Sequence, residues 1–171
     1  MITPQYLQRM ARYNRWQNES LYAAANALGD KDRRADRGSF FKSIHATLSH
    51  ILWADELWMS RLADWEAPAG PSRDTPLYDD WRELADRRSA TDARFITWAD
   101  GLTQDQIDGD LEWYSGTLQR GMTSPRALCL MQVFNHQTHH RGQVHAMLTA
   151  AGARPGDTDV PFMPESNYHW P

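Results

Sequence analysis

Four stretches of the chain place apolar residues three and four positions apart, and breaks rich in Gly, Pro and Asp separate these stretches. Such spacing puts the apolar side chains on one face of a helix. A chain of 171 residues is long enough for one sizeable core but not for two. The pattern predicts an all-α protein with a single four-helix-bundle domain over residues 1–171. The predicted helices span residues 3–28, 40–62, 77–101 and 124–151.

Cap signals support the ends of these helices. Thr3 followed by Pro4 is typical of an N-cap with proline in the first turn, and Ser124 followed by Pro125 repeats the signal. The apolar stripe of the second helix is too broad for a surface helix, so this helix is predicted to be largely buried. The other predicted boundaries are Ser39 or a neighbour for the second helix, Pro76 or Asp79 for the third and Gly152 for the end of the fourth.

The segments outside the helices also carry information. Residues 108–124 are polar and punctuated by Gly, which predicts an irregular excursion or a small hairpin. Residues 63–74 could span roughly 40 Å, so they could form a crossover connection along the length of a 24-residue helix. An antiparallel turn between the second and third helices is the alternative. The last twenty residues are predicted to pack on the bundle, because they contain Val160, Phe162, Met163, Tyr168 and Trp170.

Charge and cysteine usage bear on partners and location. The net charge is −4, and the 18 basic residues are scattered, which argues against nucleic acid as a partner. No stretch approaches the roughly 18 apolar residues of a membrane span, and the N-terminus lacks a signal-peptide pattern. The single cysteine, Cys129, fits a reducing compartment. The chain is therefore predicted to be cytoplasmic, without a membrane partner.

Four of the seven histidines lie in the segment FNHQTHHRGQVH of the fourth predicted helix. His136 and His140 are four residues apart and so share one face, which also carries Cys129, Val133 and Met147. This face is the predicted core stripe. Buried polar groups need a partner, and a metal ion would supply one, although such a pair also arises by chance.

A third ligand must come from another helix. His45 and His50 are five apart, about 140° around the helix, so both cannot serve one site. His50 lies near mid-height of its helix, as the fourth-helix pair does, whereas His45 is displaced by about 7.5 Å. We therefore prefer His50, with His45 as the open alternative. His139 and His145 lie at the margin of the inward face or opposite to it.

Several other residues near the pair have predicted roles. Arg141 is expected in a surface or interface ion pair, and Cys129 lies about 10.5 Å from His136 along the axis, too far to share an ion. Residues that could line a pocket are Tyr13, Trp16 and Trp53. Residues that could hydrogen-bond the outer nitrogens of ligand histidines are Asn14, Gln132 and Gln143.

The motifs SHILWAD in the second helix and NHQTHHRGQV in the fourth resemble the two signature regions of the DinB/YfiT-like metal-binding superfamily, which is unrelated to the polymerase of the same name. The segments YNRWQN and TDVPFM also resemble sequence patterns that are typical of that family. The resemblance implies an up-down-down-up bundle with a crossover connection, commonly as a homodimer. It also implies one divalent ion, zinc or nickel, held by three histidines that map onto His50, His136 and His140.

The resemblance also suggests an activity, since some relatives transfer or isomerise substrates with low-molecular-weight thiols. Three neutral imidazoles leave a coordination position for a ligand. The function predicted on this basis is a metal-dependent thiol S-transferase that acts on small electrophiles, with a small-molecule thiol as partner and no organic cofactor. The alternatives are a metal-dependent hydrolase and a non-catalytic metal-binding or stress-response dimeric module. No catalytic residue is assigned.

Overall fold

The computed structural model describes residues 2–70 and 78–164. These residues form mostly helix, together with a small two-stranded antiparallel sheet. The all-α prediction is thus confirmed for the helices and corrected by the sheet. The elements are α1 (Pro4–Asn26), α2 (Asp30–Arg34), α3 (Ile44–Leu62), α4 (Trp81–Asp100), β1 (Asp110–Ser115), β2 (Arg120–Pro125) and α5 (Arg126–Ala150).

The four long helices enclose two apolar clusters. Helix α1 packs on α4 and α5, while α3 packs on α5 and α4. One cluster is centred on Leu7, Phe95 and Phe134, and the other contains Leu48 and Leu148. Helix α3 supplies buried residues along its whole length, as predicted from its broad stripe. No helix in the described parts of the chain is both long enough and apolar enough to cross a bilayer.

Two predicted helix ends are confirmed, the cap at Thr3 and the glycine that ends the fourth helix, since Gly152 follows α5 with a φ of 82°. The Thr3 hydroxyl accepts a hydrogen bond from the Tyr6 amide (3.2 Å), and Pro4 opens α1. The predicted start at Ser124 is wrong, because Ser124 and Pro125 pair with β1 in the hairpin and α5 begins at Arg126. Here the cross-strand hydrogen bonds override the local cap signal.

The predicted start of the second helix is also wrong. Helix α3 begins at Ile44, and its cap is Ser43, whose hydroxyl accepts from the Ala46 amide at 3.1 Å. The preceding residues turn sharply, with Lys42 at a φ of 66°, which a continuous helix does not tolerate. Phe40 is therefore 72% exposed rather than buried.

The predicted start of the third helix, at residue 77, is too early as well. Helix α4 begins at Trp81, and the Asp80 carboxylate caps it by accepting from the Glu83 amide at 2.8 Å. Asp79 is therefore not the cap, while Pro76 and Leu77 lie outside the described residues. The polar stretch that follows α1 contains the additional short helix α2.

The hairpin predicted between the third and fourth helices is confirmed. Strands β1 and β2 pair in antiparallel register, with Trp113 opposite Met122. Leu111 is buried in the core, and the Trp113 ring packs edge-on against Trp58 of α3 at 5.7 Å. The hairpin thereby covers one end of the helices.

The described part of the C-terminal segment packs along α1, as predicted. The Tyr13 hydroxyl donates to the Thr158 carbonyl at 2.7 Å, and the Gln17 amide donates to the Asp157 carbonyl at 2.8 Å. Met163 is buried. Contrary to the prediction, Val160 and Phe162 are exposed. Tyr168 and Trp170 lie outside the described residues.

A buried ion network joins three of the long helices. The Arg88 guanidinium of α4 donates to Asp55 of α3 at 2.6 Å and to Asp92 at 2.8 Å. Asp92 also accepts from Asn14 and Asn18 of α1. Burial raises the pKa of Asp55 to about 6, against the opposing effect of Arg88. Removal of the arginine would leave buried carboxylates without a cation.

We expect Arg88→Met to lower the free energy of unfolding by about 3–5 kcal/mol, the usual effect of breaking a buried ion pair. Urea denaturation at pH 7 measures this change. The matched control is Arg82→Met on the same helix, because the ion pair of Arg82 with Asp86 is largely exposed. Its loss should change stability by about 0.5 kcal/mol or less. Equal stability of the two variants would contradict this account of the core.

Candidate metal centre

The structure brings together the three histidines that the sequence singled out. His50 lies on α3, while His136 and His140 lie one turn apart on α5, which packs beside it. One ring nitrogen from each lies within 4.8 Å of the other two. The Nε2 atoms of His50 and His136 are 3.2 Å apart. Within the described residues, these three form a group that could hold a metal ion.

The distance between the two Nε2 atoms suits a common ion. Bonds of 2.0–2.1 Å to a tetrahedral zinc ion would separate two ligand nitrogens by about 3.3 Å, close to the observed 3.2 Å. Without a shared proton or a cation, two imidazole lone pairs would repel each other at this distance. The donor set therefore fits a divalent transition ion.

The surroundings of the triad favour the neutral imidazoles that a metal requires. Burial, reinforced by the neighbouring histidines, lowers the pKa of His50 to about 3 and that of His136 to about 4. Burial also lowers the pKa of His140. At neutral pH the three rings are therefore uncharged, and each has a lone pair available for coordination.

Gln143 fixes the tautomer of His140. The Nδ1 atom of His140 lies 2.8 Å from the Gln143 side-chain oxygen, which can only accept a hydrogen bond. Nδ1 therefore carries the proton, and Nε2 keeps a lone pair that could bind a metal ion, the tautomer that second-shell hydrogen bonds fix in histidine metal sites. The Gln143 nitrogen in turn donates to His139 at 3.2 Å. The predicted role of Gln143 is thus confirmed.

The remaining described histidines lie outside the triad group. His45, the alternative that the sequence left open, is fully buried and donates through Nε2 to the Tyr78 carbonyl at 2.8 Å, away from the three convergent histidines. His139 is exposed beside His140, and His145 is half-buried on α5. His169 lies outside the described residues.

Two predictions about neighbouring polar residues are wrong. Arg141 is buried and donates to Asn14 on α1 and to Thr138, rather than forming a surface ion pair. Asn14 is committed to Arg141 and Asp92, so it does not serve a ligand histidine. Arg141 and Asp92 both lie far from Asn14 in the sequence, so no local pattern could have indicated these contacts.

The aromatic residues near the triad include one that the sequence analysis did not identify. Phe41 lies in the turn before α3, and its ring stacks on His50 with 3.9 Å between centroids. It also meets the edge of His140 at 5.4 Å. Of the predicted pocket residues, Trp53 is 5.9 Å from His50, whereas Tyr13 holds the C-terminal segment. The available sequence signal was the Phe-Phe pair, which is separated by one residue from the Ser43 cap.

Three comparisons with known proteins bear on the family and the fold. The model of the DinB family matches residues 1–170. Protein DinB of Bacillus subtilis (strain 168) is 26% identical over 156 residues, which cover 88% of this chain and 89% of that protein. A crystal structure of a DinB-like protein from Bacillus cereus ATCC 10987 has the same fold, with a TM-score of 0.60 at 21% identity, covering 83% of this chain and 90% of that one. Because the family match extends over nearly the whole sequence, the chain belongs to the DinB family.

Proposed function

We propose that this protein binds one divalent transition ion, zinc or nickel, through His50, His136 and His140, and uses it in S-transfer from a small thiol to small electrophiles. The observation that carries the proposal is the convergence of three ring nitrogens, with no fourth His, Cys, Asp or Glu of the described chain in the group. Three protein ligands rather than four are typical of catalytic sites, which keep one position for a substrate.

A bound ion would supply a site at which a thiol ionises near neutral pH. The three imidazoles would hold the ion, and Gln143 would keep the proton of His140 on the outer nitrogen. In the proposed reaction the sulfur forms a bond to the electrophilic carbon. The leaving group departs with its bonding electron pair, and the thiol proton passes to the solvent.

The thiol must come from outside the chain. Cys129 is the only cysteine, it is buried, and burial raises its pKa. It precedes His136 by seven residues, about 10.5 Å along the helix. A buried, protonated thiol at that distance cannot serve as the nucleophile, so a small-molecule thiol is the proposed cosubstrate.

The proposal also includes the finer architecture. Up-down-down-up bundle topology is supported by the packing of α1 on α4 and of α3 on α5. We also propose that the protein is a homodimer, which the family resemblance supports. A cytoplasmic location is proposed because Cys129 is a free cysteine.

We expect His136→Ala and His140→Ala each to abolish stoichiometric metal binding, because two imidazoles alone hold a divalent ion weakly. Elemental analysis after gel filtration measures the ion content per chain, with circular dichroism to verify folding. Retention of one ion per chain in both variants would contradict the site.

We expect the combined replacement of His45, His139 and His145 with Gln to leave one ion per chain, because none of the three belongs to the convergent group. Gln at position 45 can still donate to the Tyr78 carbonyl, which limits the loss of stability. The same elemental analysis applies. Loss of the ion from the folded triple variant would show that the ligand set is incorrectly assigned.

We expect a small thiol to produce an intense charge-transfer band in the near ultraviolet when added to the Co²⁺-loaded protein, because a thiolate sulfur would bind at the open position. His50→Ala should remove the band. Cys129→Ala should keep it, since the sulfur comes from the added thiol.

Other outcomes of the cobalt experiment separate the alternatives. If no thiol alters the spectrum but small carboxylates do, the S-transfer proposal fails and a metal-dependent hydrolase becomes the better interpretation. If no added ligand alters it, the site is closed, and the protein is a metal-binding module without catalytic function.

A further inference from the structure

The turn that precedes α3 is held firmly beside the histidine triad. The Lys42 amide donates to the Ser39 carbonyl at 2.8 Å, and the Arg37 amide donates to the Lys42 carbonyl at 2.8 Å. Lys42 has a φ of 66°, which costs a non-glycine residue free energy and persists only where the surroundings impose it. The backbone therefore fixes the direction in which Phe40 and Phe41 point.

Phe41 touches ligands from both helices of the site. Its ring lies nearly parallel to His50 of α3, at 25° and 3.9 Å. The same ring meets His140 of α5 at 61° and 5.4 Å. Phe41 is only half-buried, so this aromatic face starts at the ligand histidines and reaches the surface.

Phe40 extends this aromatic face into the solvent. Its ring packs edge-on against Phe41 with 4.8 Å between centroids. At 72%, Phe40 has the largest exposed fraction among the exposed large apolar side chains of the described chain. An exposed aromatic pair that continues into a ligand set is typical of a binding surface rather than of a core.

We propose that Phe40 and Phe41 form a specificity wall that selects ligands with a planar apolar group next to the donor atom. This inference rests on the proposed function, because it assumes that a thiol occupies the open position. Aromatic rings pack favourably edge-on or offset against other rings. Substrates with an aryl or benzyl group beside the sulfur are thus the preferred class, over aliphatic ones of equal size.

The test compares two thiols of similar size on the Co²⁺-loaded full-length protein. Phenylmethanethiol carries a planar ring, whereas cyclohexylmethanethiol carries a puckered one. Titration of the charge-transfer band gives a dissociation constant for each, and their ratio in each protein variant is the measured selectivity. Intrinsic differences between the thiols cancel when this ratio is compared between wild type and variant.

We expect Phe40→Leu and Phe41→Leu each to reduce the preference for the planar thiol about two- to tenfold, the range that aromatic pairing supplies. Tyr114→Leu is the matched control, because Tyr114 is a comparably exposed aromatic on the hairpin, and its ratio should equal that of wild type. Because Phe40 is 72% exposed, we expect Phe40→Leu to fold. This variant therefore still tests the inference if Phe41→Leu does not fold.

Two results would overturn the inference, and only the second would also overturn the proposed function. If both thiols give the band and the ratio is the same in wild type, Phe40→Leu and Phe41→Leu, the specificity wall is wrong while S-transfer stands. If neither these thiols nor hydrophilic ones give a band in the wild-type protein, the proposed function fails, and the specificity wall fails with it.

Discussion

Binding of one ion by histidines of both α3 and α5 would require imidazole nitrogens from both helices to reach a single point, and this requirement would limit how the two helices pack. His50 and His136 approach to 3.2 Å through their Nε2 atoms, so a shift of even one turn along either helix, about 5.4 Å, would separate them. A contact beside His140 ties α5 to a second helix, because the Arg141 guanidinium donates to Asn14 on α1.

The rest of the core supports this arrangement at a distance. Arg88 joins α4 to Asp55 of α3, and Asp92 joins α4 to α1. The helix that carries His50 is thereby tied to the helix that anchors Arg141. Burial around the triad has a second effect, since it lowers the pKa of His50 to about 3 and keeps the ring neutral. The same packing that positions the ligands therefore also prepares them to bind a cation.

The sequence predicts the parts of this site that depend on regular geometry. His136 and His140 share a face because they are four residues apart on one helix, and the mid-height position of His50 favoured it over His45, in agreement with the three histidines that lie together in the structure. The turn at Phe40 and Phe41 could not be predicted, because Phe40, Ile44 and Leu48 continue a helical pattern. What interrupts it is the positive φ of Lys42 and the hydrogen bonds of the turn. The helix start predicted at Ser124 and Pro125 is wrong for a similar reason, because both residues pair with β1 and this strand pairing outweighs the local cap signal.

We propose that His50, His136 and His140 jointly bind one divalent ion, and anomalous diffraction at the zinc absorption edge, from crystals of the zinc-loaded protein, can locate that ion. One strong peak per chain is expected, about 2.0–2.1 Å from a ring nitrogen of each of the three histidines. A peak bound to His45, to His139 or only to surface carboxylates, or no peak at the triad, would contradict it.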